Sequence, residues 1–340
     1  MSALPATRDD RVIWDNWLSM YRFPIVTVAD AIGLFAAIAP QALTTGEIAA
    51  KLDVDARALG IHLGLLAALG FVERRDGRWR ATAATRTWLL PEAEGYYGPL
   101  IHNLRDSQPL HAQLLATLKT GDKAAGHGSA AEEWERGEMP AEMAQWLTAY
   151  MNAHSRAGAK AVGRQPLLAN VKSVLDVGGG SGIYSIEMAR AWPGLSATVM
   201  EIPQVCAAAE PYIAASGMGS RVQTQAVNMF TQEWPRNFDA HFFSNVFHDW
   251  SDATNRLLAK KSFAALPRGG RILLHEMLMD DDGCGPLPAA AFSVLMLLAT
   301  RGKQYSLPEL RSILEDAGFT QVEAMQTGGG YYSLVTARKP

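Results

Sequence analysis

Only two cysteines occur in 340 residues, Cys206 and Cys284, and no metal-type spacing links them. That excludes a disulfide framework and a cysteine zinc site. An excess of positive charge is also missing. Lys and Arg number 31 against 34 Asp and Glu, a formal charge of −3, which leaves no general electrostatic hold on nucleic acid. No apolar run reaches the ~20 residues of a membrane helix; "PAAAFSVLMLLA" and "ADAIGLFAAIA" stop well short. The start, "MSALPATRDDRVIWDNW", lacks the basic and apolar regions of a signal peptide, so the expected location is the cytoplasm. Internal repeats and low-complexity tracts are absent. What is present is the composition of a globular protein, 48% apolar and 19% charged, in a chain long enough for two domains.

The first half lacks strand–helix alternation and reads mainly as helix. In "LTTGEIAAKLDVD", Thr44 and Glu47 form a capping-box pattern that opens a short helix. In "ARALGIHLGLLAALG", Leu59, Leu63, Leu66 and Leu69 recur at helical spacing before Gly70. "FVERRDGRWRAT" then predicts a hairpin turning at Asp76-Gly77. Helix, helix, hairpin is a winged-helix pattern, which serves either DNA binding or packing and dimerisation. The wing carries Arg74, Arg75, Arg78 and Arg80, but the helix before it has no polar face to offer base edges, so DNA binding is not expected. A helix and then a loop with Gly121, Gly126 and Gly128 follow. "PAEMAQWLTAYMNAHSRAGAKAVG" predicts a long helix from Pro140, apolar at Met143, Trp146, Leu147, Tyr150 and Met151.

From residue 170 short apolar runs alternate with helical or loop segments. "SVLDVG", "ATVMEI", "VQTQAVNMF", "DAHFFSNVF" and "RILLHEML" read as strands of a mostly parallel, doubly wound sheet, and the chain ends in a hairpin on that sheet. The expected fold is therefore α/β with an N-terminal helical domain at 1–105, linking helices at 106–165 and the sheet domain at 166–340.

After the first of these strands, "LDVGGGSGIYSIEMA" places Gly178, Gly180 and Gly182 in a tight turn into a helix, where the backbone can approach a ligand closely. Ile183 stands where a dinucleotide fingerprint needs Gly or Ala, and no P-loop Lys follows. Asp176, at a buried strand end, is costly unless paired, and a cationic ligand group would pair it. Glu201, about twenty residues on, suits ribose hydroxyls. A nucleoside with a cationic, non-phosphate appendage fits these residues, and S-adenosylmethionine fits better than NAD or ATP.

"SNVFHDWSD" ends another strand on an imidazole, a carboxylate and an indole. His248 there and Glu276, at the end of the following strand, project at the same carboxyl edge as the glycine loop. A carboxylate on one ring nitrogen fixes the tautomer and raises basicity at the other. Ser251 or Asp252 fits the N-cap of the next helix, and Asp249 either a cofactor contact or a capping partner.

Together "LDVGGGSG", "MEIPQV", "NMF", "HDWSD", "PRGGRILLHE" and "RGKQYSLPELRSILEDAGF" resemble, in order, the class I small-molecule O-methyltransferases of the plant caffeate and bacterial antibiotic type. The resemblance covers essentially the whole chain. It implies a winged-helix-like dimerisation domain, a doubly wound sheet binding S-adenosylmethionine, and a homodimer joined through the N-terminal domain. By resemblance, Gly178, Gly180, Gly182 and Glu201 hold the methionine and ribose portions, and Asn228, Met229, Phe230, Ser244 and Trp250 belong to the cofactor site with Asp176. His248 is the general base and Glu276 orients it. Met151, His154, Phe292, Leu295 and Met296 line the acceptor pocket.

Three positions depart from the family pattern. Asn228 replaces an acid, Ser244 a basic residue, and Gln304, in "RGKQYS", the second carboxylate beside the base. Gln can hold a ring nitrogen but does not stabilise an imidazolium electrostatically. The expected activity is O-methylation of a small, flat, aromatic hydroxylated secondary metabolite. C- or N-methylation, for example of a 2-oxo acid or heteroaromatic, is the alternative, and a non-catalytic DNA-binding regulator a further one. His248-Asp249 could supply two metal ligands, but no third is apparent, so no metal is expected.

Overall fold

A computed structural model describes residues 9–105, 109–122 and 131–340. The first eight residues, read as free of a targeting signal, and the loop expected around Gly126 and Gly128 lie outside the described residues. The chain divides into two compact units. One takes in Ala130–Met277 and Leu307–Pro340 with the segment ending at Arg11, the other Val12–Ser129 and Leu278–Ser306. The division falls between Ser129 and Ala130, not at the boundaries expected at 105 and 165, and residues 278–306, expected in the sheet domain, belong to the mainly helical unit. No described helix is long and apolar enough to cross a membrane.

In the helical unit, the helix Thr45–Leu52 opens on a complete capping box. Thr44 Oγ1 accepts the Glu47 N–H and the Glu47 carboxylate accepts the Thr44 N–H, at 3.2 and 2.7 Å. The helix Ala56–Ala68 follows, and β1 (Val72–Arg75) and β2 (Arg78–Ala81) form the hairpin. Asp76 at φ 50° and Gly77 at φ 74° give the doubly left-handed turn that matches strand twist. Ala58, Leu59, Ile61, His62, Leu63, Leu65 and Leu66 of the preceding helix are all buried, so it has little free face to enter a DNA groove. The wing's charge is partly neutralised within the unit, with Arg78 on Glu47 at 3.0 Å and Arg80 on Glu73 at 2.7 Å. Leu287–Ala299 packs against Ala56–Ala68. Gly64 permits a close approach nearby, because a Cβ there would stand 2.8 Å from the Gly283 carbonyl oxygen.

His62 is fully buried, and neither ring nitrogen has a hydrogen-bond partner among the described residues. Burial pulls its pKa down to about 3, so it is neutral in the fold. An unfolded His62 charges below about pH 6.5, so its contribution to stability is complete above that value and lost as pH falls toward 3. His62→Leu, which removes two unpaired polar atoms at similar volume, is expected to raise stability by about 1–2 kcal/mol near pH 7 and by more near pH 5. Urea unfolding followed by circular dichroism checks this; a less stable variant would contradict it.

The second unit is built on a seven-stranded sheet: β3 (Ser173–Val177), β4 (Ser196–Glu201), β5 (Val222–Ala226), β6 (Ala240–Ser244), β7 (Arg271–Glu276), β8 (Thr320–Gln326) and β9 (Ser333–Arg338). The order is β5-β4-β3-β6-β7-β9-β8, parallel except that β9 runs antiparallel to both neighbours. Val174, Leu175, Val199, Phe242, Phe243, Leu273 and Leu274 have no exposed surface, as expected of strands covered on both faces. The long helix expected from Pro140 spans Ala141–Gly163, but its apolar residues do not share one buried face. Trp146 and Tyr150 are 61% and 41% exposed, while Ala144, Leu147, Thr148, Asn152, Ser155, Gly158 and Ala159 are buried. The reason is close packing on the helix Ile183–Ala191. A Cβ on Gly163 would stand 2.8 Å from the Glu187 carbonyl oxygen, so small residues face inward and large aromatics outward.

Candidate active site

Strand order reverses between β3 and β6, and ligands of open α/β sheets bind at the carboxyl edge of such a switch point. From β3 the chain turns through Gly178, Gly180 and Gly182 at φ 68°, 54° and 73°, which only glycine adopts without strain. From β6 it turns through Asn245 and Val246. The two turns meet closely: a Cβ on Gly178 would lie 3.0 Å from Val246 Cγ2, and one on Gly180 3.4 Å from Met151 Sδ. Met151, expected in the acceptor pocket, therefore sits at the glycine loop.

Asp176 finds its partner inside the protein. Ser185 Oγ donates to its Oδ2 at 2.7 Å, and a Cβ on Gly179 would stand 2.6 Å from its Cγ. Burial pushes the carboxyl up to about 7 against that hydrogen bond. Asp176 lies under the glycine loop with the Ser185 hydroxyl on its carboxylate.

Glu201, at the end of β4, is buried with its carboxylate among N–H donors. Oε1 accepts from Gly180 at 3.2 Å, and Oε2 from Ile202 at 3.1 Å and from the Trp134 indole at 3.0 Å. Burial raises its pKa, and the three donors oppose the rise. Past β5, Asn228 uses its whole side chain internally. Oδ1 accepts from the Phe230 and Thr231 N–H groups, while Nδ2 donates to the Glu135 and Trp134 carbonyls. Met229 is buried, and Phe230 meets Trp250 edge-on with ring centroids 4.7 Å apart. Ser244 directs its hydroxyl at His275 Nδ1, 3.1 Å away, and Tyr184 Oη reaches the same nitrogen at 3.2 Å.

His248 lies on the turn Phe247–Asp249 after β6, 4% exposed. Its Nδ1 is 3.1 Å from Glu276 Oε2, and its Nε2 is 3.6 Å from Asp249 Oδ1. Glu276 ends β7, and its Oε1 accepts the N–H groups of Val246 and Phe247 at 3.2 and 3.0 Å. Asn255 donates to the Phe247 and Trp250 carbonyls and holds the turn from the other side. Burial pulls the His248 pKa down, but the charges of Glu276 and Asp249 outweigh it and the net shift is upward. Burial pushes Asp249 up to about 6 against the attraction of His248. His154 is drawn down to about 4 by burial and by the charge of His248, and stays neutral. Ser251 caps the following helix by accepting the Thr254 N–H. Chemically this is an imidazole with one nitrogen tied to a fixed carboxylate, beside a glycine cradle.

The remaining expected residues fall in the helical unit. Phe292 and Met296 are buried and Leu295 half-buried on Leu287–Ala299, with Phe292 against Trp14 at 5.5 Å between centroids. Gln304 is buried, and its backbone N–H donates to Ser293 Oγ at 3.1 Å. Trp134, Asn255, Tyr184 and His275 were not expected at the site. Each acts through a tertiary contact that no local motif encodes.

Residues 112–320 match the model of the O-methyltransferase domain. The 3-hydroxy-5-methyl-1-naphthoate 3-O-methyltransferase of Streptomyces sahachiroi is 33% identical over 95% of this chain and 93% of its own length. The L-tyrosine C(3)-methyltransferase of Streptomyces lavendulae is 28% identical over 82% and 77%. Among solved structures, an O-methyltransferase family 2 protein of Planctomyces limnophilus, in complex with apigenin, superposes with a TM-score of 0.86 at 24% identity, covering 99% of this chain and 97% of its own.

Proposed function

Because the chain belongs to the O-methyltransferase domain family, we propose that its methyl acceptor is a hydroxyl of a small aromatic metabolite and that His248 is the general base. The chain is an S-adenosylmethionine-dependent methyltransferase. The residues at the sheet edge fit that cofactor. The loop is a cradle that side chains would fill, it carries no Lys or Arg for a phosphate, and Glu201 offers a buried carboxylate to a diol. Gly178, Gly180 and Gly182 would hold the methionine portion, Glu201 the ribose, and Met229, Phe230 and Trp250 the adenine. Asn228, Asp176 and Ser244 support these groups. When bound, the cofactor supplies an electrophilic methyl group on a sulfonium.

The observation that carries the reading is the His248–Glu276 pair. With Nδ1 3.1 Å from Glu276 Oε2, the carboxylate favours the ring proton on that nitrogen, so Nε2 is the nitrogen that would take the acceptor's hydroxyl proton, and the imidazolium formed would be stabilised by the carboxylate. Only neutral His248 can do this, so kcat/KM is expected to fall on the acid side through an apparent pKa above the ordinary imidazole value of about 6.5. A pH–rate profile flat through that region would contradict the assignment. A panel of phenols, 2-oxo acids and amines incubated with enzyme and labelled cofactor, read by mass spectrometry, tests the acceptor class.

The similarity to a C(3)-methyltransferase of tyrosine favours a second reading, methyl transfer to a ring carbon beside a phenol. The same base serves both, and Gln304 in place of a second carboxylate suits a phenol that ionises easily. For the helical unit we read a winged-helix-like dimerisation role, with a homodimer joined through the N-terminal domain expected at 1–105. Val12, Ile13, Met20, Trp88, Tyr97 and Leu100 are exposed there and support that reading. Light scattering after size exclusion tests it.

A further inference from the structure

We propose that Trp134 is a positioning residue for the ribose site, setting the Glu201 carboxylate through its indole N–H, and that Asn228 is the clamp that holds Trp134 in place. The proposal rests on the reading of Glu201 as the ribose acceptor. A carboxylate offers about four lone-pair directions. Three are taken: Oε1 by Gly180 and Oε2 by Ile202 and Trp134. Among the described residues the direction left open is on Oε1, so the three donors together decide which oxygen meets a ribose hydroxyl. Two of the donors are backbone groups fixed by the loop and the strand end. Trp134 is a side chain from the short helix Ala131–Arg136, which is remote in sequence and needs its own anchor.

Asn228 supplies that anchor. Its Nδ2 donates to the Glu135 carbonyl at 3.0 Å and to the Trp134 carbonyl at 3.4 Å, while Oδ1 accepts from Phe230 and Thr231 at 2.9 and 3.2 Å. An aspartate would keep the second pair of bonds and lose the first, turning an oxygen toward two carbonyl oxygens. The amide where an acid was expected thus has a structural reason. Gly137, at φ 81°, makes room for it, because a Cβ there would stand 2.8 Å from Asn228 Nδ2. Trp134 itself packs against the cluster of Met139, Leu147, Ile202 and Val205, which fixes the indole plane.

The test is equilibrium binding, by calorimetry, of S-adenosylhomocysteine and of its 3′-deoxyribose analogue. A hydrogen bond to a buried carboxylate corresponds to a preference of about tenfold or more for the intact diol in wild type. E201Q is expected to abolish the preference. W134F and N228D are each expected to cut it to about twofold, N228D with an unchanged circular dichroism spectrum. A preference lost in E201Q but retained in W134F and N228D overturns the proposal alone. A preference that survives E201Q, or is absent from wild type, overturns the Glu201 reading together with it.

Discussion

His248→Ala is expected to lower turnover about a thousandfold while S-adenosylmethionine still binds with an affinity within about twofold of wild type. The size follows from the site's composition. Methyl transfer from a sulfonium needs positioning and, for a weakly acidic hydroxyl, removal of one proton. No other candidate base is as well prepared. His154, the other imidazole here, is held down to about 4 by burial and by the charge of His248, which makes it a weak base. The alanine variant keeps the glycine loop, Glu201 and the aromatic pair Phe230–Trp250 intact, so cofactor affinity and turnover separate cleanly. Stopped assays with labelled cofactor and calorimetry on the same preparation check both halves. A variant that turns over like wild type removes His248 from the mechanism.

Glu276→Gln is expected to have the second-largest effect, a loss of about a hundredfold or more in kcat with little change in cofactor affinity. Glu276 Oε1 is fixed by the Val246 and Phe247 N–H groups, so a glutamine keeps its carbonyl oxygen there. Its NH2 then faces His248 Nδ1, which has to become an acceptor, and the ring proton moves to Nε2. The nitrogen that should take the substrate proton already carries one. The same change removes the nearest negative charge, so the acid limb of the pH profile moves to lower pH. An unshifted limb with an unchanged kcat would show that Glu276 serves only to hold the turn.

The glycine loop, the strands of the sheet, the capping box at Thr44 and the turn at Asp76-Gly77 were legible because each is encoded within a few adjacent residues. So was the pairing of His248 with Glu276, since both end neighbouring strands of a parallel sheet. What local patterns could not carry is long-range contact. Trp134 reaches Glu201 across 67 positions. Trp146 and Tyr150 match an apolar helix stripe yet face outward, because the neighbouring helix admits only small side chains at the contact. Residues 278–306 join the helical unit although they follow a strand of the sheet, a choice made by packing between distant segments.

In the proposed reaction the methyl group goes to oxygen, with His248 taking the hydroxyl proton. Its most direct measurement is heteronuclear NMR of the product formed from methyl-labelled S-adenosylmethionine and a phenolic acceptor, with wild type and His248→Ala side by side. A single labelled O-methyl resonance is expected from wild type and next to none from the variant. A labelled methyl on carbon or nitrogen, or an equal O-methyl yield from both proteins, would contradict it.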